Sequence, residues 1–227
     1  MNRLGEVYTF RKQEKVNKGF GIIDPNKVFY VEDQNGKIII DGKRCKIVTE
    51  KPVIDYTIIG GKKYHFITIN DKTWLLENLE YVDENITLGA TGTSSTIPRA
   101  NYYNNDPDDS YGLLYNYAAV KYIDDNRNTI CPGWRVPTGD ELAEIQSLGT
   151  AAIRSTEWNG TNESGFSLLP AGQYTGSFEY KGASTGLYST TLGTSTVKRL
   201  NSFGASTTEM SWVAKTTQIS LRLIKDA

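Results

Sequence analysis

The sequence predicts an α+β fold with two helices, many short strands and long polar loops, preceded by a β-rich N-terminal arm. Three observations carry this reading. Short runs rich in Ile, Val, Phe and Tyr recur between tight-turn dipeptides, only two stretches combine helical spacing with a capping residue, and Ser, Thr, Gly and Asn fill much of the remainder. The length of 227 residues, with 38% hydrophobic and 22% charged, suits one large domain or one domain with an appendage.

The arm, residues 1–55, contains three β-rich runs: Phe29-Tyr30-Val31-Glu32, Gly36-Lys37-Ile38-Ile39-Ile40 and Cys45-Lys46-Ile47-Val48. Asp24-Pro25, Asn35-Gly36 and Asp41-Gly42 punctuate them, because Gly and Asn accept positive φ at little cost. Three short strands cannot enclose a core, so the arm is expected to pack on a partner or on copies of itself. A second organisation begins near Tyr56. Gly60-Gly61 is read as a hairpin turn, with alternation across His65-Phe66-Ile67-Thr68-Ile69. The polar stretch from Ile86 to Asn105 is read as a long surface loop.

The first helix is predicted from Tyr111 to about Tyr122, with Leu114, Tyr117, Ala118 and Lys121 at helical spacing and Asp109 or Ser110 as cap. The second starts at Thr138-Gly139-Asp140-Glu141, a capping-box pattern, continues through Leu142, Ile145 and Leu148, and stops at Gly149. From Ser164 the chain returns to short strands and loops. It closes on Ile219-Ser220-Leu221-Arg222-Leu223-Ile224, an alternating strand expected to pair with the other terminal strand.

The net charge of −1 gives no basic field for a nucleic-acid backbone, so no nucleic acid is expected as partner. Residues 1–52 are the mildly basic part, with eleven Lys+Arg against seven Asp+Glu. No apolar run approaches the roughly 20 residues of a membrane span or the core of a signal peptide, so no membrane insertion is expected. Cys45 and Cys131 are too few for a disulfide framework and are read as reduced structural thiols.

Seven ordered blocks carry a family resemblance. They are Ile59-Gly60-Gly61-Lys62-Lys63-Tyr64, Asp71-Lys72-Thr73-Trp74-Leu75-Leu76-Glu77-Asn78-Leu79, Tyr103-Asn104-Asn105-Asp106-Pro107 and Tyr111-Gly112-Leu113-Leu114-Tyr115-Asn116-Tyr117-Ala118-Ala119, then Cys131-Pro132-Gly133-Trp134-Arg135-Val136-Pro137-Thr138, Gly165-Phe166-Ser167-Leu168-Leu169-Pro170-Ala171-Gly172 and Ser220-Leu221-Arg222-Leu223-Ile224-Lys225-Asp226. In sequence and order they resemble the Fibrobacter succinogenes major paralogous domain, over residues 56–227. The resemblance implies a C-type-lectin-like fold: paired terminal strands, two helices, and a loop-rich second half on a small sheet. It also implies burial of Trp74, Trp134 and Phe166. The family often has a cysteine where this chain has Leu223, which leaves Cys131 without an evident partner. The block Gly186-Leu187-Tyr188-Ser189-Thr190 is a weakened form of the family's aromatic pattern.

Catalytic candidates are sparse. His65 is the sole histidine and has no motif partner, and Asp140-Glu141 reads as a helix start. Asp83-Glu84 sits in no catalytic context. A related scaffold, that of the formylglycine-generating oxidases, works with a cysteine pair that Cys131 alone cannot supply. Asn104-Asn105-Asp106-Pro107-Asp108-Asp109 gathers oxygen ligands suited to calcium, but it lacks the spacing of a calcium loop and reads better as a turn. No enzyme activity, cofactor or metal is therefore expected.

The expected contact surface is the polar, aromatic-rich stretch bearing Trp158, Asn159, Asn162, Tyr174, Phe178, Tyr180, Tyr188, Asn201 and Trp212. Flat rings beside amides suit sugar faces or protein epitopes, although some of these rings are expected in the core. The lectin calcium motifs Glu-Pro-Asn and Trp-Asn-Asp are absent, since Trp158-Asn159 is followed by Gly160. A chain without an export sequence that carries such a module is expected of a bacteriophage virion component released by lysis. In that reading residues 1–55 anchor to capsid or tail proteins and form a homo-oligomer, a trimer, while residues 56–227 face outward and bind host-surface glycan or protein. A bacterial cell-surface adhesion module and a retroelement-diversified receptor-binding protein are the alternatives.

Overall fold

The computed structural model describes residues 37–40, 43–46, 55–108 and 111–226. The chain divides into two units, Met1–Val53 and Ile54–Ala227. In the first, strands β1 (Lys37–Ile40) and β2 (Lys43–Lys46) pair antiparallel, with Ile40 opposite Lys43. They fall on two of the expected arm runs. The third, at Phe29, lies outside the described residues.

The second unit opens with a meander. Strands β3 (Tyr56–Ile59) and β4 (Lys62–Ile69) are joined by Gly60-Gly61, both at positive φ (57° and 80°), as a two-residue hairpin turn of the primed type requires. A Cβ on Gly60 would meet the Tyr81 ring at 2.7 Å, so the turn is also a packing point. Asn70-Asp71 repeats the device at φ 49° and 60° and leads into β5 (Lys72–Leu75). The last strand of the chain, Ile224–Asp226, pairs antiparallel with β5 and completes a four-stranded sheet; the terminal strands share that sheet but lie on its opposite edges and do not pair with each other, because β4 and β5 stand between them.

The next segment departs from the sequence reading. The expected loop from Ile86 to Asn105 carries β6 (Thr87–Leu88), β7 (Arg99–Asn101) and a 3₁₀ turn at Tyr103–Asn105, with Ile86, Ala100 and Asn101 buried. Strands of two or three residues are too short to show alternation. The expected helix from Tyr111 starts six residues late. Gly112 lies at φ 90°, Leu114–Tyr115 is strand β8, and helix α1 (Tyr117–Asp125) begins behind Asn116, whose side chain accepts from Ala119 N–H. Asp109 and Ser110 lie outside the described residues. Two one-turn helices, α2 (Arg127–Ile130) and α4 (Thr150–Ile153), flank α3 (Gly139–Ser147). The capping box of α3 is present in full: Thr138 Oγ1 accepts from Glu141 N–H, and Glu141 accepts from Thr138 N–H. Gly149, at φ 93°, ends it.

A small hairpin follows, β9 (Gln173–Tyr174) with β10 (Phe178–Glu179). Three long strands come next: β11 (Ser184–Leu192), β12 (Thr196–Phe203) and β13 (Thr207–Ala214). The predicted closing strand splits into β14 (Ile219–Ser220) and β15, the Ile224–Asp226 strand already met. The reason is burial on both sides: Ile219, Leu221, Arg222, Leu223 and Ile224 are all at 0% exposure, so inside-outside alternation is lost. β14 enters a seven-stranded sheet of order β13-β12-β11-β14-β8-β7-β6, and β15 joins the four-stranded one. One eight-residue run therefore stitches the two sheets together.

Two clusters form most of the core. α1 buries Ala119, Val120 and Ile123 in one, with Tyr64, Tyr115, Trp134 and Tyr188. α3 buries Leu142 and Ile145 in the other, with Trp74, Trp158, Phe166 and Leu200. Trp74 meets Phe166 edge-on with centroids 5.5 Å apart, and Trp74, Trp134 and Phe166 are all buried as expected. Each such side chain contributes about 1.5–3 kcal/mol of transfer free energy.

Candidate ligand groove

Three separate segments of the second unit border a groove of about 320 Å³. One wall is Gly89, Ala90 and Thr91, after β6; another is Asn101, Asn104 and Asn105; the third is the β9–β10 hairpin, with Tyr174, Gly176, Ser177 and Phe178. Each wall is fixed from behind. Arg99 Nη1 donates to Thr91 O (2.8 Å) and Gly92 O (3.0 Å), and Gly92 N–H donates to the Tyr174 hydroxyl at 2.9 Å. Asn101 Nδ2 donates to Oε1 of the fully buried Gln218 at 2.8 Å, while Tyr174 and Gln218 exchange two backbone bonds. Gln218 Nε2 is buried with no acceptor among the described residues. Phe178, half-buried, makes tilted contacts with Tyr174 (4.8 Å) and Tyr103 (5.2 Å).

Asn104 and Asn105 occupy the left-handed region at φ 53° and 58°, where Asn is tolerated better than most residues. Both are exposed, and neither side-chain amide has an intramolecular hydrogen bond among the described residues. Among the described residues, no Lys, Arg, His, Asp or Glu lines the groove. The described lining is aromatic, amide, hydroxyl and backbone, with the Ala90 methyl.

The nine residues expected at the contact surface do not form one site. Tyr174 and Phe178 come together in the groove. Tyr180, exposed and at φ 64°, follows β10. Trp158 is buried under the Arg154 guanidinium, 3.9 Å from its ring, and is core rather than contact surface. Tyr188 is at 0% exposure, its hydroxyl donating to Thr217 O at 2.6 Å, and Asn201 is buried on β12. Asn159 and Asn162 shape turns at φ 54°, with Asn162 Oδ1 accepting from Ser167 N–H. Trp212 is half exposed on β13, at the far edge of the seven-stranded sheet from β6, six strand spacings or about 25–30 Å away. Asn101, Ser177 and the 89–91 wall had no sequence signal beyond turn composition.

The described catalytic and metal candidates are not among the groove's lining residues, apart from Asn104 and Asn105; Asp109 lies outside the described residues. His65 Nδ1 sits 2.7 Å from Glu77 Oε1, on the four-stranded sheet. Asp83 accepts from the Tyr81 and Tyr122 hydroxyls and from Asn85 N–H; burial opposes its charge, but these bonds outweigh it and hold the carboxyl below its ordinary range. Glu141 forms a bidentate pair with Arg135 (2.6 and 2.8 Å), which with the Thr138 bonds lowers its pKa to about 2 against the cost of burial. Asp106 Oδ1 accepts from Asp108 N–H, as a turn former does.

The sequence profile of the Fibrobacter succinogenes major domain matches residues 67–225, well over half of the chain. The chain belongs to that family. No curated protein and no solved structure matches it. Within this Fibrobacter major domain the groove lies between the β6–β7 edge of the seven-stranded sheet and the β9–β10 hairpin: its walls fall at 89–91, 101–105 and 174–178, all inside the matched region. Cys131 of the domain is a buried free thiol that shares a core cluster with Leu223.

Proposed function

We propose that this Fibrobacter major domain protein is a non-enzymatic binding and display protein that works through contact at the groove. The observation that carries the reading is the groove's lining: two aromatic rings, three amides, two hydroxyls and backbone groups, fixed by bonds from behind and, among the described residues, without a side chain charged at neutral pH. That is the make-up of a recognition site, apolar area with a few oriented polar groups. Two of the titratable candidates outside it are occupied structurally, Glu141 in a helix cap and Asp83 between two tyrosines.

The finer fold proposed is C-type-lectin-like, supported by terminal strands that share one four-stranded sheet and by a second, seven-stranded sheet with loop-rich connections. The proposed setting is a bacteriophage particle surface, with residues 1–55 as a trimeric anchor on capsid or tail proteins and the second unit turned toward host glycan or protein. Binding of the full chain to host cells tests the contact reading. Wild type binds and Phe178→Ala weakens binding about tenfold or more; equal binding by both proteins refutes the groove. Imaging of particles tests the setting, which fails if residues 1–55 are not embedded in one.

A further inference from the structure

Resting on the binding reading above, we infer that the groove takes an uncharged sugar ring directly, without a bridging calcium ion. The electrostatics select the charge class. An acidic sugar entering the groove would lose hydration, and no Lys, Arg or His among the described residues lines it to offset that cost. A calcium bridge requires 6–8 oxygen ligands, commonly carboxylates, and among the described residues no Asp or Glu lines it either.

The polar atoms select hydroxyls. Asn104 and Asn105 each present a carbonyl acceptor and two N–H donors side by side, and both amides are exposed and uncommitted among the described residues. Two neighbouring hydroxyls of a pyranose, each both donor and acceptor, satisfy such an amide in one plane. Asn101 is held ready in a single orientation by Gln218, which removes part of the ordering cost of binding. The left-handed turn at Asn104-Asn105 fixes where their amides project.

The rings select shape. Phe178 is braced by Tyr103 and Tyr174 in tilted geometry, and a braced half-buried ring offers area to the C–H face of a pyranose at little entropic cost. A volume of 320 Å³ is at the low end of small-molecule sites, about 300–1,000 Å³, which suits one or two sugar rings rather than a protein epitope. A ligand of that size in an open groove binds with a dissociation constant of about a millimolar.

Saturation-transfer NMR on the full chain is the test, with glucose, galactose, mannose, xylose and rhamnose at tens of millimolar, in excess EDTA and again in calcium. Glucuronic and sialic acids serve as the charged counterparts. At least one neutral sugar is expected to receive saturation on one C–H face, equally in both buffers. Phe178→Ala and Asn105→Gly should each weaken it about tenfold; the glycine keeps the left-handed turn while removing the amide, so a folding defect is separable. Silence from all five neutral sugars, a calcium requirement, or indifference to Asn105→Gly overturns the inference. If an acidic sugar or a cell-surface protein binds and Phe178→Ala abolishes it, the binding reading survives while this inference falls. Host-cell binding that both variants leave intact brings down the groove itself.

Discussion

Arg222 is at 0% exposure and makes no ion pair among the described residues. Its guanidinium donates to Asn78 Oδ1 (2.9 Å), Phe166 O (2.5 Å) and Ser167 O (2.9 Å), and lies 4.8 Å from the Phe166 ring; burial pushes its pKa down. Arg222→Met keeps the bulk but leaves three acceptors dry, and should cost about 3–5 kcal/mol by chemical denaturation. Cys131 is buried, and desolvation raises its thiol to about 12, so iodoacetamide at mildly alkaline pH should modify it only after unfolding, as read by peptide mass spectrometry. Glu141 carries a stability term with a defined sign. Its folded pKa of about 2 lies below the ordinary glutamate value of 4.5, so the stabilisation is complete above the latter and fades as pH falls through the former. Glu141→Gln should remove about 3 kcal/mol at neutral pH and flatten the stability curve between those values.

The helices show what local chemistry makes legible. The box at Thr138 and Glu141 lies within four residues, and its helix starts where the sequence says. Thr138→Ala should cost about 1 kcal/mol. Asn116 was hidden, because Tyr111, Leu114 and Tyr117 mimic helical spacing while the first two lie before α1, Leu114 in a buried strand. Beyond capping α1, Asn116 accepts from Arg99 N–H and donates to Ser94 O and Ile97 O. Asn116→Ala should therefore cost more than an ordinary cap, about 2–3 kcal/mol, and loosen residues 94–97 in hydrogen exchange. The groove was illegible for a related reason. Asn104, Asn105 and the 89–91 turn read as loop composition, and only the pairing of β6, β7 and β8 brings them to Tyr174.

At the scale of the molecule, the hydrophobic pattern announced a mixed fold but not how its sheets divide the chain. Leu221, Arg222 and Leu223 look like the middle of one strand, yet they pass between two sheets. The two ends of the second unit leave from the four-stranded sheet, Tyr56 on edge strand β3 and Asp226 on edge strand β15, three spacings or about 15 Å apart. Both point to the same side of that sheet, because β3 and β15 run in opposite directions. A tug between those ends would peel β15 from β5 bond by bond, like a zip. The groove, on the other sheet, lies off that load path and would keep its shape while tension is borne elsewhere.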